Sequence, residues 1–353
     1  MAASVSVAPK SPLVRHALAT FGGGASRRRH HWTPPGLGWI LPGFVVSVGL
    51  IYFCIGYSGY LSLLPWNWRP GSPATIEGFA SYVRAFNSPL FWTSLKHTLV
   101  FFIAAFVVQC IMGIIFAAIL HSKVYAATFF KVIIFLPVVI APAIMAPVHR
   151  RVFAVDGPIN GILQHLGLIQ LDKLGNRDWI GWLSSGLTHV GLGDVTPNWI
   201  QPSTSLWVII AVQIWSSIGM AFILFYAAMG QIDPEVLEAS RIDGAGTIRM
   251  LVSVVVPNMK PTIVSLAILN AITALKLFDF PYLITGGGPA HSSEFLGTYI
   301  YSELFGVSNH FGYAATLSVL LLIMALAVSM ILRLSTSERG PGRKVKGGVR
   351  LDV

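Results

Sequence analysis

Charge inside apolar sequence is the first place to look for chemistry. The stretch LKLFDFPYLITGGGP carries Lys276 and Asp279 three residues apart. On a helix that spacing puts both on one face, within reach of an ion pair. An ionisable residue inside a membrane span is costly and marks a functional site by default. Lys276 also lies about 24 Å beyond Lys260 at ~1.5 Å per residue, close to the edge of a ~30 Å hydrocarbon core. Snorkelling of its ammonium to the interface is the competing reading. A pair of this kind would suit a stand-alone secondary transporter that relays protons or ions, which also predicts an inverted internal repeat, and the sequence shows none.

Other chemistries are excluded by their missing parts. No G-x-x-x-x-G-K-[ST] occurs, and Gly286-Gly287-Gly288 lacks the following Lys-Ser/Thr, so the chain has no phosphate cradle of its own. The apolar segments hold no nucleophile–base–orienter set, which argues against an enzyme. The ten histidines have no metal-ligand spacing, and Cys54 and Cys110 both lie in apolar segments as small core residues, so no metal site is expected.

The elements that must position these groups follow from composition. The 353 residues are 54% hydrophobic and 11% charged, with a mean hydropathy of +0.69. Soluble domains carry about a quarter charged residues, so this composition defines a membrane protein. The net charge of +10 does not indicate nucleic acid, because the basic residues cluster in tails and short loops. Hydropathy predicts an all-α membrane protein of six transmembrane helices, at roughly 37–62, 94–120, 130–149, 204–230, 261 to just before 286, and 311–333. Residues 1–31 form a basic tail, 32–335 the six-span domain and 336–353 a second basic tail. A cleaved signal is the alternative for the N-terminus, but the uncharged run from Trp32 to Trp68 is too long for one. Sixteen of the 24 Lys and Arg fall on the side of the termini, which places both termini in the cytoplasm. Arg150 and Arg151 run against the trend.

Two loops stand out. The outer loop 150–203 carries Trp179, Trp182 and Trp199, and its segment 157–168 has Ile159, Ile162, Leu163 and Leu166 at helical spacing, as an interfacial helix would. A second interfacial helix is expected over 293–306. Span three contains Pro137, Pro142 and Pro147, which free backbone carbonyls. A kinked packing helix and a pathway-lining helix both satisfy that pattern.

The cytoplasmic loop 231–257, with the residues that follow to 261, reads QIDPEVLEASRIDGAGTIRMLVSVVVPNMKP and holds seven charged residues between two apolar segments. Asp233 is a good N-cap, Pro234 suits the first helical position, and Glu235 and Glu238 match the positive end of the helix dipole. Asp243-Gly244 signals a turn, so two short helices are expected over 233–248 and onward.

This loop resembles the EAA loop of ABC importer permeases. The match is carried by Glu238-Ala239-Ser240, Asp243-Gly244-Ala245, Val254, Val256 and Pro257, with Ser240 in place of the usual last Ala. The stretch Phe278, Asp279, Tyr282, Thr285 to Pro289 resembles the F-D-x-x-Y-x-L-T-G-G-G-P signature of the carbohydrate branch. So do Phe79-x-x-Tyr82 before span two and Gly157, Asn160, Leu163, Gly167-Leu168 after span three. The resemblance covers most of residues 40–333.

It implies a type I ABC importer permease fold in the inner or plasma membrane of a prokaryote, working by alternating access. Glu238, Ala239, Ser240, Asp243, Gly244 and Ala245 would then couple to a cytoplasmic ATPase dimer, which holds the ATP and Mg while this chain binds no cofactor. The resemblance also implies a second permease subunit, typically a different chain in this branch, and an external solute-binding protein. For a sugar or related polar solute, aromatic faces and hydroxyl partners are needed, and spans four and five offer Gln213, Trp215, Ser216, Lys276, Asp279 and Tyr282. A tryptophan in an apolar span serves packing as well as stacking.

Overall fold

The structure, a computed structural model, describes residues 37–122, 125–171, 177–180, 185, 199–201, 204–307 and 309–337. The two basic tails (but for the last residues of α12) and Trp182 lie outside them. The chain divides into two units, 1–54 and 55–353. Among the described residues the first holds only the N-terminal part of helix α1 (Leu37–Leu61), whose side chains from Leu41 to Phe53 are largely exposed apolar groups.

In the second unit, α2 (Ala80–Asn87) leads through Ser88 into α3 (Pro89–His121), which at ~1.5 Å per residue is long enough to cross a bilayer with turns to spare. Then come α4 (Ala127–Val139), α5 (Pro142–Val152) and α6 (Pro158–His165). A small antiparallel ribbon follows, β1 (Ile169–Leu171) against β2 (Arg177–Trp179), with Gln170 opposite Asp178. Apart from this ribbon the described secondary structure is helical, as expected. Next are α7 (Ser205–Met229), α8 (Pro234–Ile242), α9 (Thr247–Asn258), α10 (Lys260–Leu275), a π-helical turn over Pro281–Thr285, α11 (Leu296–Phe305) and α12 (Phe311–Ser337).

Among the described residues four helices are long and apolar enough to cross a membrane, in α1, α3, α7 and α12, and two bent pairs bring the number to six. The pair α4–α5 turns through 96° and the pair α9–α10 through 70°. Span three is therefore broken, not merely kinked. Proline chemistry explains the break: Pro142 drives Ala141 out of the helical region (ψ 138°) and opens α5 as its first residue. In α9 the π-turn Leu251–Val255 precedes Pro257, whose missing N–H loosens the ladder, and the chain bends at Met259.

The packing is that of a membrane protein. Along α3 the buried positions are Phe91, Ser94, Thr98, Phe101, Ala105, Gln109, Gly113, Ala117 and Leu120, three or four residues apart. Small and polar groups predominate on this inward stripe, whereas Leu99, Ile103, Ile111, Ile115 and Ile119 face outward. Lipid tails are as apolar as leucine, so close backbone approach and interhelical hydrogen bonds drive association instead. Gly219 shows the approach at its limit: a Cβ there would lie 2.6 Å from the Ile134 carbonyl oxygen, so only glycine lets α7 cross α4 this closely. Three apolar clusters result. One gathers Phe101, Ile209, Phe280 and Phe295, a second Phe222, Phe225 and Met259, and a third Phe91, Leu296 and Leu317.

Candidate functional site

At one end of α7 the 231–258 segment forms the expected helical hairpin. Asp233 caps α8 through Oδ1, which accepts the Glu235 N–H at 3.0 Å. The other end of α8 is closed by two backbone bonds, Ala245 N–H to Ser240 carbonyl and Gly244 N–H to Arg241 carbonyl, each 3.0 Å. That is a Schellman closure, and it requires the positive φ of Gly244 (75°), where a side chain would strain the backbone.

The hairpin has two faces. Glu238, Ala239, Asp243 and Gly244 are exposed, and beside them Ile242 and Ile248 are 86% and 78% exposed. Ser240, expected among the partner-facing residues, points inward: it is 8% exposed and its hydroxyl donates to the Leu237 carbonyl at 2.8 Å. Ala245 is half-buried and lines a cavity of about 440 Å³ between the hairpin and the ends of α3 and α7.

Midway along the spans a polar chain joins three helices. Gln109 of α3 donates through Nε2 to Ser217 Oγ of α7 at 2.9 Å, and its Oε1 accepts from Asn270 Nδ2 of α10 at 3.2 Å. Ser217 in turn donates to the Gln213 carbonyl at 2.6 Å. Gln109 and Asn270 are buried and were missed by sequence reasoning. The available signal was an amide inside each apolar span.

The opposite end of the same helices is organised by the 276–305 segment. Helix α10 stops at Leu275, Lys276 becomes its C-cap residue, and the chain is non-helical at Leu277 and Phe278. The expected one-face pairing of Lys276 with Asp279 is therefore absent: both are exposed, and neither is in an ion pair among the described residues. Beyond the break, aromatic rings form a ladder. Phe278 stacks on Tyr282 at 5.0 Å, Tyr282 meets Tyr301 at 4.6 Å, and Tyr301 meets Phe305 at 4.9 Å. The Tyr282 and Tyr301 hydroxyls are hydrogen-bonded at 3.3 Å, and this bond, ahead of burial, pushes the Tyr301 phenol up.

The intervening loop is a hydrogen-bonded knot. Thr285 Oγ1 and Ser293 Oγ are 2.8 Å apart, and Ser293 Oγ donates to the Gly288 carbonyl at 2.7 Å. Ser205 of α7 reaches Ser292 at 2.8 Å, and His97 Nδ1 of α3 lies 2.9 Å from the Glu294 carbonyl oxygen. The Glu294 carboxylate is buried beneath Gly287 with Oε2 2.9 Å from His291 Nδ1.

The candidates on α7 sit elsewhere. Trp215 packs against His149 of α5 at 5.1 Å, and the Ser216 hydroxyl is spent on the Gln213 carbonyl at 2.9 Å. Among the described residues no hydrogen bond or ring contact joins Gln213, Trp215 or Ser216 to Lys276, Asp279 or Tyr282. In the loop after α5, Asn160 is buried, donating to the Val155 carbonyl and accepting from Trp199 Nε1 at 2.7 Å, while Ile162 and Leu166 are exposed. The inward side of α6 is thus carried by the polar Asn160.

A bundle of broken and continuous spans with an exposed helical hairpin is the architecture of a transport permease. The chain belongs to the family of binding-protein-dependent transport system inner membrane components, whose model matches residues 109–336. It is 30% identical over 297 residues to the probable ABC transporter permease protein YurN of Bacillus subtilis (strain 168), covering 83% of this chain and 92% of that one. It is 31% identical over 272 residues to the lactose transport system permease protein LacF of Rhizobium radiobacter, covering 76% and 84%. Among solved structures it resembles a chain of a bacterial alginate ABC transporter in complex with alginate pentasaccharide-bound periplasmic protein. That match has a TM-score of 0.62 and 21% identity, over 85% of this chain and 94% of that one. The chain is an ABC importer permease, a multi-pass membrane subunit and not itself an enzyme.

Proposed function

We propose that this permease passes a carbohydrate or related polar solute across the cell membrane, driven by an ATPase dimer that docks on the α8–α9 hairpin. The observation that carries the coupling is the exposed pair Ile242 and Ile248, set among Glu238, Asp243 and Arg241 at the tip of a rigidly closed hairpin. Water gains nothing from such a surface; a partner's cleft does. ATP and Mg belong to that partner. The hairpin faces the cytoplasm together with both termini, in line with the distribution of Lys and Arg. A second permease chain and an external solute-binding protein complete the importer.

The carbohydrate class is supported by the relatives, which include lactose, multiple-sugar and sulfoquinovosyl glycerol permeases. The aromatic ladder Phe278–Tyr282–Tyr301, beside Asp279 and Lys276, which form no ion pair among the described residues, supplies faces and polar groups for hydroxylated rings at the outer end. Alternating access follows if ATP closure of the dimer moves the hairpin and, through the bend at Met259, α10. A stand-alone transporter using Lys276 and Asp279 as a relay loses its main support, since the two groups do not share a helix. The test is uptake in proteoliposomes carrying the purified complex: the importer reading requires internal ATP and the binding protein, and uptake by this chain alone, without ATP, contradicts it.

A further inference from the structure

A cavity of about 680 Å³ opens between α2, the loop after α1, α11 and the start of α12, away from both the hairpin and the aromatic ladder. Its wall is a run of four side chains from four elements. The Arg84 guanidinium of α2 lies over the Trp66 indole at 3.9 Å, the His310 ring packs against Trp66 at 4.6 Å, and His310 Nδ1 is 2.9 Å from Glu303 Oε2 of α11. The backbone holds the frame: Trp66 and Trp68 carbonyls accept from the Tyr313 and Phe311 N–H groups, each at 3.1 Å. Asn87 adds an amide at the rim.

Helix α11 separates this cavity from the ladder. Tyr299 and Glu303, four residues apart, face the cavity, whereas Tyr301 and Phe305, also four apart, build the ladder. The volume falls within the ~300–1,000 Å³ of small-molecule sites. Arg84 and Glu303 carry opposite charges in one cavity and are not paired with each other, and among the described residues Glu303 commits only Oε2, to His310. Donors from Arg84 and Asn87 stand with acceptors from Glu303 and Asn87, the complement of vicinal hydroxyls that each donate and accept. Trp66 is already engaged by Arg84 and His310, so it orients them instead of stacking on a ligand.

We propose that this cavity is a second carbohydrate site, taking a neutral sugar through its hydroxyls, distinct from the translocation pathway. Its outward location rests on the orientation given under Proposed function. The opposed charges select against anions, because a carboxylate that reached Arg84 would share the cavity with Glu303.

The test uses the complete importer complex, purified from its native membrane into lipid nanodiscs without the external binding protein. Lactose, maltotriose, diacetylchitobiose and galacturonic acid are titrated by calorimetry and by saturation-transfer NMR. At least one neutral sugar should bind saturably. Arg84→Ala, and separately Asn87→Ala at an exposed position that the fold does not need, should weaken it about tenfold, the loss of a hydrogen bond to a charged or amide group. Tyr282→Ala should leave that binding unchanged. Binding lost with Tyr282→Ala but not with Arg84→Ala belongs to the pathway and overturns the proposal, as does binding of galacturonic acid alone or of none of the four. ATP-driven uptake on the same preparations separates the two readings. Uptake without sugar at the cavity overturns the cavity alone, and binding there without any ATP dependence of uptake overturns the importer alone.

Discussion

The two ends of α7 are built by different rules. The hairpin after Met229 is held by bonds between residues no more than five positions apart: an Asp cap, a Pro at the first helical position and a glycine-closed terminus. The 276–305 segment before α12 is held by bonds to residues far away in the chain, His97 to Glu294 and Ser205 to Ser292. A locally closed hairpin can move as one body and hand motion to whatever it touches. A segment stitched to α3 and α7 moves only with them. Under the proposed coupling, the locally closed end would serve as the lever and the stitched end would follow the arrangement of the spans.

Breaking the lever should have the largest effect. Ile242→Asp places a charge at the exposed tip without touching the cap or the Gly244 turn, so ATP-driven uptake in proteoliposomes should fall to background while membrane insertion is retained. Gly244→Val should do the same by another route, since a β-branched residue at φ 75° costs about 1–2 kcal/mol or more. Ser240→Ala sharpens the comparison. Its hydroxyl serves only the Leu237 carbonyl, so uptake should stay near that of the wild type, within about twofold. A full loss there would mean that the inward face docks the partner.

The lever and the stitched end also differ in how legible they were. Asp233, Pro234 and Gly244 announce their helix boundaries in the sequence because caps and turns are local. The spans of α3, α7 and α12 were legible from hydropathy. The break after Leu275 was not: Lys276 and Asp279 keep helical spacing in the sequence, yet the chain leaves the helix between them so that Leu277 and Phe280 can enter the cluster around Ile209. The Gln109–Asn270–Ser217 chain was equally hidden, because each amide is one polar residue in a long apolar run. Only the three-dimensional crossing makes them partners. Pro142 signalled a kink, but the size of the turn, 96°, is not legible from the proline spacing.

Intermediate effects test the stitched end and the polar chain. Tyr282→Ala removes the middle rung of the ladder and should raise the apparent KM for the transported sugar about tenfold with a smaller change in maximal rate, given ~0.5–1.5 kcal/mol per aromatic contact. Gln109→Leu and Asn270→Leu should each cost about 1 kcal/mol in thermal unfolding in detergent. The double variant should lose less than the sum, because both act on one hydrogen bond.

The smallest effect is a titration. The Tyr301 phenol is raised mainly by its bond with Tyr282, so ionisation is resisted and the neutral form is the one the fold favours. Whatever stability this adds is present below the ordinary tyrosine range and is lost as pH rises through the raised value. Tyr282→Phe should move the absorbance titration of Tyr301 back down, and an unmoved titration would assign the shift to its surroundings instead.

The central claim is that the exposed tip of the α8–α9 hairpin transmits the work of ATP. The most direct measurement is purification of the intact complex in mild detergent, wild type against Ile242→Asp, with the associated ATPase quantified in each eluate. The account predicts that an ATPase co-purifies with the wild-type chain and is lost from the variant, while the chain itself remains folded and membrane-inserted. Equal ATPase in both eluates, with uptake undiminished, would contradict it.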